Sequence, residues 1–188
     1  MTVHLAVMDF NDALKTLELI GNNSLDMVML VKNDRGGDVP SESARNYGDS
    51  RPRHSIAGYY MSAGQHADAS SSRRRYYSAV RVVRNIDAAT TSLLSAFKNN
   101  DNMEIELSTY KAGGDSSPNA LPHFKILLKG AKVKTYTLLS GGALPNAGCF
   151  EIIELVFRNI KIEAAPQSST GQRGAVNTFE DEMSEAGA

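Results

Sequence analysis

The sequence has few of the features that would indicate a disulfide-bonded, metal-bound or membrane-inserted protein. Its 188 residues include a single cysteine, Cys149, which excludes an intrachain disulfide and any cysteine-cluster metal site. No apolar run approaches the length of a membrane span. The formal net charge is −1, so no global field would attract nucleic acid or an anionic membrane. Stability must therefore come from burial, either within one subunit or between subunits.

The histidines also lack the spacing of a metal site. His4, His54, His66 and His123 fall in different predicted elements, and none belongs to a His-x3-His pattern. Cys149 has no neighbouring histidine in the sequence, so we expect a small buried side chain rather than a nucleophile. The sequence therefore predicts no metal and no cofactor.

Length and composition predict one domain with an extension at each end. Residues 1–24 form an N-terminal extension that fits either a strand or a helix, and residues 25–165 form the domain. Residues 166–188 are rich in Ser, Gly, Gln, Asn and acid, and we expect a mobile tail that cannot offset a chain entropy of about 1–2 kcal/mol per residue. The N-terminus lacks a basic segment followed by an apolar core, so we expect synthesis in the cytoplasm without a cleaved signal peptide.

The stretch over residues 73–110 predicts a strand, a helix and a second strand in succession. Residues 76–86 are aromatic or β-branched with interspersed arginines, which is typical of a half-buried strand. Residues 103–110 alternate apolar and polar side chains, which predicts a strand with one buried face. Between them, residues 87–98 predict a short helix.

The helix is indicated by its capping residues and by one apolar stripe. Asp87 precedes the stripe and can accept hydrogen bonds from free amides at the helix start. Leu93 and Phe97 lie on the stripe with Ala89 and Ala96. Asn100 follows the helix, where a left-handed residue is expected. If Phe97 is as buried as its spacing implies, its loss would cost about 3–5 kcal/mol.

The remaining apolar segments are short, which is typical of a β-rich fold. We predict further strands over residues 26–32, 55–64, 123–128, 131–139 and 150–162. The first of these is apolar on both faces and is expected to be covered on both sides. Residues 33–53 are rich in turn formers and predict a long surface loop. The fold class is mainly β: an antiparallel, barrel-like domain of two packed sheets with one short α-helix on its side.

The glycine positions and one change in the apolar pattern add detail to these predicted strands. Gly130 separates the strands over 123–128 and 131–139, and Gly58 and Gly64 indicate either a bulge or the close approach of neighbouring backbone. The apolar phase of residues 150–162 changes near Arg158 and Asn159, which predicts a β-bulge there. We predict that the strand over 103–110 pairs antiparallel with 123–128. The residue numbers of each opposing pair should sum to an odd value, because only in that register do the apolar side chains of the two strands lie on the same face of the sheet.

Part of the sequence resembles a known family. The segments that carry the resemblance are NIDAATTSLLSAFKNNDNMEIELSTYK, HFKILLKGAKVKTYTLLSGG and EIIELVFRNIKIE, with an I-D-x(5)-L-L-x-A helix start at residues 86–96. In this order they resemble the haemolysin-coregulated protein (Hcp) family, the inner-tube protein of type VI secretion systems. The resemblance covers roughly residues 25–163.

The resemblance implies a structural role without a catalytic step or a cofactor. It implies self-assembly into hexameric rings that stack into a tube, with a contractile sheath around it, a spike protein at its tip and effectors in its lumen. It also implies secretion into a target cell without a signal peptide. In the family, the position of residues 65–75 holds a loop that projects toward the next ring. In this sequence the loop would carry positive charge where it joins the following strand. The interface candidates are Arg73, Arg74, Arg75, Tyr76 and Tyr77.

Alternatives from other functional classes remain open. The strands alone also fit a stand-alone ligand- or carbohydrate-binding β module. Glu104 and Glu106 lie on the same strand face at a spacing that a glycosidase could use, but the solvated face of a strand beside lysines explains them better. The run from Arg73 to Tyr77 has the composition of a nucleic-acid patch, but the near-zero net charge disfavours that function.

Overall fold

The structure is a computed structural model that describes residues 26–43, 50–65, 75–110, 121–141, 148–166 and 174–183. In chain order its strands are β1 (Asp26–Asn33), β2 (Gly37–Asp38), β3 (Arg53–Ser55), β4 (Gly58–Tyr60), β5 (Ala63–Gln65), β6 (Arg75–Tyr77), β7 (Val80–Asn85), β8 (Met103–Tyr110), β9 (Phe124–Ser140), β10 (Cys149–Val156), β11 (Asn159–Ala164) and β12 (Asn177–Glu182). The helix α1 (Ala89–Asn99) lies between β7 and β8.

The strands form two antiparallel sheets that share β9, and a separate hairpin. The first sheet has the order β2, β1, β8, β9, β11, β12, with β3 also paired to β1. The second sheet has the order β9, β10, β7, β4, and β5 pairs with β6 in a hairpin. The prediction of a mainly β, antiparallel, two-sheet fold with one helix is confirmed, but the sheet is not closed into a barrel.

Strand β9 joins the two sheets. The sequence predicted two strands here, separated by Gly130, and this is wrong because β9 runs unbroken over 17 residues. Gly130 has a φ of 58°, and the register against β8 shifts by one residue beside it. A glycine bulge of this kind bends a strand without ending it. The first half of β9 therefore pairs with β8 and β11, and the second half pairs with β10.

The chain crosses between the sheets again at Phe157 and Arg158. Strand β10 pairs with the second half of β9, and β11 pairs with the first half. Ile153 before this point and Ile160 after it both lie in the core, although they are an odd number of residues apart. The change of phase near Arg158 is therefore confirmed, but the predicted bulge within one strand is wrong, because β10 ends at Val156 and β11 begins at Asn159 in the other sheet.

Strands β8 and β9 pair in the predicted register. Ile105 lies opposite Leu128 and Leu107 lies opposite Ile126, so the paired numbers sum to an odd value. On the other face, the Glu106 carboxylate lies 3.7 Å from the Lys125 ammonium. The apolar rows face the core, as a period of two requires.

The core lies between the two sheets and α1. Its largest members are Met29, Leu93, Met103, Ile105, Leu107, Leu128, Ile153, Leu155 and Ile160. In β1 the five residues from Met27 to Val31 are all buried, which confirms that this strand is covered on both faces. At about 25 cal/mol per Å² of apolar surface, this burial is the main favourable term in folding.

Three segments that the sequence predicted as single elements contain several elements in the structure. The loop predicted over 33–53 contains β2, which pairs with the end of β1, and Val39 beside it is buried. The strand predicted over 55–64 is replaced by β3, β4 and β5, because β3 pairs with β1 in one sheet and β4 pairs with β7 in the other. The strand predicted over 76–86 is divided into β6 and β7 at Ser78 and Ala79.

The helix begins two residues later than predicted and ends one residue later. Asn100 follows it in the left-handed region, with a φ of 53°, and its amide bonds back to the last turn of α1, so the predicted helix end is confirmed. With 11 residues, α1 spans roughly 16 Å. In the part of the chain that the structure describes, no helix is long and apolar enough to cross a membrane.

The two ends of the chain have different outcomes. The predicted extension over 1–24 lies outside the described residues, and the domain boundaries stay a prediction. In the tail, β12 pairs antiparallel with β11, so the prediction of a mobile segment over 166–188 is wrong for residues 177–182. Pairing with a sheet edge satisfies backbone amides and carbonyls without requiring apolar side chains, which explains how so polar a segment docks.

We expect Gly130→Ala to destabilise the subunit by about 1–2 kcal/mol, because a Cβ is disfavoured at a left-handed φ. An added Cβ would also lie 3.1–3.3 Å from the side chain of Arg158. Gly141→Ala is the matched control, since a Cβ at Gly141 would meet no heavy atom within 4 Å. Urea unfolding measures both variants, and equal stabilities would contradict the importance of the bend.

Candidate functional site

The predicted interface residues fall at the base of the β5–β6 hairpin. Arg73 and Arg74 lie outside the described residues, whereas Arg75, Tyr76 and Tyr77 form β6. Tyr76 is 49% exposed, and it lies opposite Gly64 of β5. A Cβ at Gly64 would collide with the ring of Tyr76, so the group that lies close to this glycine is a side chain and not the neighbouring backbone that the sequence predicted.

Arg75 and Tyr77 converge on one carboxylate of β12. The Tyr77 hydroxyl donates to Asp181 Oδ2 at 2.6 Å, and Arg75 Nη2 lies 3.2 Å from Asp181 Oδ1. The ring of Tyr77 packs against Phe157 with 6.0 Å between centroids. Burial, followed by the hydrogen bond to Asp181, raises the pKa of Tyr77 to about 12. Tyr77 is therefore a neutral donor at physiological pH.

Sequence reasoning missed Asp181. It lies in the segment predicted to be a mobile tail, whose polarity and acidity hide it among solvated residues. The available signal was weak: Phe179, Asp181 and Met183 share one phase of a period of two, and Met183 packs against the core. Its partner on β6 is more than a hundred positions earlier in the chain, so no local pattern connects them.

The residues predicted to position the helix have mixed outcomes. Asp87 Oδ1 accepts the amide of Ala89 at 2.8 Å, and the side chain of Thr90 accepts the amide of Asp87 at 3.2 Å. This reciprocal pair satisfies two amides at the helix start, so the capping role of Asp87 is confirmed. Leu93 is 2% exposed and lies in the core, as predicted.

The predicted burial of Phe97 is wrong, since its side chain is 43% exposed. Thr90 lies seven residues earlier, at almost the same angle around the helix, and is 6% exposed. Phe97 lies in the last turn of α1, directly after Ala96, which is 2% exposed and belongs to the core. The angle of Phe97 around the helix therefore does not account for its exposure.

A buried ionic cluster connects the helix start to both sheets. Arg84 is 1% exposed, and its Nε lies 3.2 Å from Oε1 of the fully buried Glu151. The Nε hydrogen bond itself goes to the carbonyl of Asn85 at 3.3 Å, so the contact with Glu151 is ionic rather than a directed hydrogen bond. The guanidinium also forms an ion pair with Asp87. We call these residues, with His54 and Tyr136, the Arg84 cluster.

His54 and Tyr136 complete the Arg84 cluster as neutral partners. Arg84 Nη1 lies 3.4 Å from His54 Nδ1, which accepts from it and leaves the histidine proton on Nε2. Burial, and then the positive charge of Arg84, lowers the pKa of His54 to about 4. The Tyr136 hydroxyl donates to Glu151 Oε2 at 2.6 Å, and burial together with this bond raises the pKa of Tyr136.

Glu106 belongs to a chain of alternating charges that crosses the first sheet. In spatial order its members are Arg53, Glu106, Lys125, Glu163, Lys161 and Glu180. Neighbouring charges lie 3.1–3.9 Å apart, with the shortest distance between Lys161 and Glu180. The hydrogen bonds from Lys161 to Glu180 and Glu163 raise the pKa of its ammonium. We call this set the charge ladder.

The charge ladder favours the structural explanation of the strand glutamates over the glycosidase hypothesis. Glu106 lies beside two cations, Arg53 and Lys125, so its carboxylate is engaged in ion pairs across the sheet. Glu104 is exposed on the same strand. The two glutamates therefore fit the solvated face of a strand beside lysines.

The other candidate ligands do not converge in the described chain. His54 lies in the Arg84 cluster, His123 is half-buried beside β9, and His4 and His66 lie outside the described residues. The residues that the structure describes contain no group of three or more His, Cys, Asp or Glu able to hold a metal ion. The expected burial of Cys149 is wrong, because it starts β10 at the surface with its sulfur 3.1 Å from the Ser140 hydroxyl.

Comparison with known proteins connects this fold to secretion. A family model described as "Type VI secretion system effector, Hcp" matches residues 53–163. No curated protein sequence matches the chain.

Three solved structures share the fold at low sequence identity. A type six secretion system protein is 20% identical with a TM-score of 0.67, covering 84% of this chain and 96% of its own. Hcp1 from the E. coli EAEC 042 pathovar is 14% identical with a TM-score of 0.64, covering 84% and 99%. Hcp1 from Salmonella typhimurium is 18% identical with a TM-score of 0.62, covering 84% and 95%.

We expect Arg84→Met to lower the free energy of unfolding by about 3–5 kcal/mol, because it leaves Glu151 buried without its cation. Lys161→Met is the matched control. It removes a cation whose side chain is 36% exposed and screened by solvent, so the loss of stability should be much smaller than for Arg84→Met. Denaturant unfolding of the free subunit measures both, and similar losses for the two variants would contradict a special role for Arg84.

The depressed pKa of His54 predicts a defined acid sensitivity. Between about pH 4 and 6.5 the unfolded chain binds a proton at this residue and the folded chain does not. The free energy of unfolding should therefore rise with pH across this window, and the contribution of His54 is complete above it. His54→Gln should flatten that slope in urea titrations at several pH values. A slope unaffected by His54→Gln would refute this assignment.

Proposed function

The chain belongs to the Hcp family of type VI secretion system proteins, and on that premise we propose that it is a structural subunit of the inner tube of such a system. The observation that carries this proposal is the family match over residues 53–163, which spans the chain from β3 to β11 and includes α1. The proposed assembly is a closed ring of six subunits, and the rings stack head to tail. Closed cyclic symmetry satisfies the complementary surfaces of every subunit.

The distribution of charge supports a structural role without a catalytic step or a cofactor. The buried charges of the Arg84 cluster are directed at one another, and they fix the helix against the sheets. The charges of the ladder neutralise each other in pairs across the strands. Both sets of charges are therefore used in contacts within the subunit, which supports a structural role.

The wider machine follows from family membership as part of the same proposal. The tube would lie inside a contractile sheath, carry a spike protein at its tip and hold effectors in its lumen. The subunit would be made in the cytoplasm and leave the cell by this route, without a cleaved signal peptide. The family description supports a place in a type VI secretion system, and the sheath, spike and effectors are proposed from the family resemblance of the sequence.

The β5–β6 hairpin is the proposed contact between rings. Its described base is basic and aromatic: the side chain of Arg75 is 59% exposed and Tyr76 is 49% exposed. Arg73 and Arg74 precede it in the sequence and add two more positive charges. Arginine and tyrosine are the residues that polar interfaces prefer, so this segment fits a contact with an acidic surface.

We expect the purified chain to sediment as a ring of six subunits, and the rings to associate into tubes visible by negative-stain imaging. Reversing both Arg73 and Arg74 to Glu should leave rings intact and block tubes, because the apolar ring contacts do not depend on those charges. These two positions are chosen because the ion pair between Arg75 and Asp181 then remains. Lys98→Glu, an exposed charge change at the end of α1, is the control and should leave tubes unaffected.

Salt provides a second test of the same contact. Screening shortens to below roughly 10 Å above about 0.1 M salt, so stacking should weaken there while rings persist. A protein that stays monomeric across a broad concentration range would contradict the tube proposal and favour a stand-alone binding module. Tubes that survive both the charge reversal and high salt would show that the arginines are not the stacking contact.

A further inference from the structure

Strand β12 is held to the domain mainly by backbone pairing. Its six residues pair with β11 from Asn177 opposite Ala164 to Glu182 opposite Asn159. Five of the six are exposed, and the largest apolar one, Phe179, is 46% exposed. Apolar burial therefore contributes little to its docking. The family match ends at residue 163, so β12 lies beyond the part of the chain that the family model covers.

The most buried side chain of β12 is a carboxylate directed at the hairpin. The side chain of Asp181 is 10% exposed, whereas that of the preceding Glu180 is 64% exposed. Asp181 accepts from Tyr77 at 2.6 Å and pairs with Arg75 at 3.2 Å. These partners are two residues apart on β6 and so project from the same face of the strand. The Asp181 carboxylate therefore contacts both the first and the last residue of β6.

Neighbouring contacts keep Asp181 in position. The amide of Met183 donates to the carbonyl of Arg158 at 2.8 Å, which extends the pairing one residue beyond β12. Tyr77 packs against Phe157, the residue that precedes Arg158. The crossing point between the two sheets, β12 and the hairpin thus meet at one place.

We propose that β12 is a strap that fixes the base of the β5–β6 hairpin through Asp181, and that it thereby sets how the hairpin meets a second copy of this chain. The second part rests on the proposed tube function; the first part concerns the subunit alone. Among the described residues β5 and β6 pair only with each other, and a backbone hydrogen bond from Ser78 to Ser62 joins the hairpin to the β4–β7 pairing. The contacts of Arg75 and Tyr77 with Asp181 give the hairpin a second attachment, to β12. Asp181 is a positioning residue in this arrangement, because it acts through Arg75 and Tyr77 rather than by contacting the partner.

The chain offers a matched control for this proposal. Glu182 lies next to Asp181 on β12, but it projects from the other face and is exposed. Glu182→Ala and Asp181→Ala therefore remove one carboxylate each from the same strand, with the same change in strand propensity. Only Asp181→Ala removes the contact with the hairpin.

Hydrogen exchange of the free subunit tests the strap directly. In Asp181→Ala the amides of β5 and β6 should exchange about tenfold faster than in the parent, which is the effect expected from losing charge-assisted hydrogen bonds. Glu182→Ala should change them less than twofold. Tyr77→Phe should accelerate exchange in the same direction, and adding it to Asp181→Ala should have little further effect, because both changes remove one shared bond. Equal exchange in Asp181→Ala and Glu182→Ala would overturn the strap.

Assembly measurements test the consequence for the second copy. Asp181→Ala should form rings like the parent, but the protein concentration at which half of it pellets as tubes should rise at least fivefold. Unchanged tube formation with faster hairpin exchange would refute the link to the second copy and leave the strap itself supported. A parent protein that forms no rings would refute the tube function, whereas the exchange comparison would still decide on the strap. If Asp181→Ala fails to fold, Tyr77→Phe carries both measurements.

Discussion

The guanidinium of Arg84 is the group on which the arrangement of sheets and helix depends. It lies on β7 of the second sheet, next to Glu151 on β10, and it reaches His54 on β3 of the first sheet and Asp87 at the start of α1. A buried charge is tolerated only while its counter-charges and hydrogen bonds are in place. The positions of these strands and of the helix start are therefore fixed relative to the guanidinium of Arg84. The same charge keeps His54 neutral, because a second cation at this site would face the first across 3.4 Å without intervening water.

Apolar packing and the ionic cluster have complementary roles. The core residues of β1, β8, β9, β10 and α1 supply most of the favourable free energy, but apolar contacts are not directional and tolerate small shifts of the helix along the sheet. The bonds from Asp87 and Arg84 define a single position for the helix start. Farther along α1 the constraint weakens, and Phe97 in the last turn is left partly in solvent.

Sequence patterns predicted those features that depend on local periodicity. The alternation in β8 and β9 determined their register, since a slip of one residue would bury Glu106 and expose Ile105. Periodicity gives the direction of a side chain around the helix but not whether neighbouring elements cover it, so the exposure of Phe97 could not be predicted from it. Gly130 is equally compatible with a turn and with a bulge, and only pairing on both sides of β9 distinguishes them. Asp181 was hidden because its partners on β6 are distant in the chain and its own segment is polar.

The uninterrupted path of β9 has a mechanical consequence. Where two sheets meet only through side chains, a load on one can slide it past the other before any covalent link resists. Here one backbone passes through both sheets, and hydrogen-bonded neighbours flank its first half on both edges. A pull applied to the first sheet is therefore transmitted along β9 into the second. Separating the sheets would require peeling β8, β10 or β11 away from the same strand, so the subunit should resist shear as one stiff body.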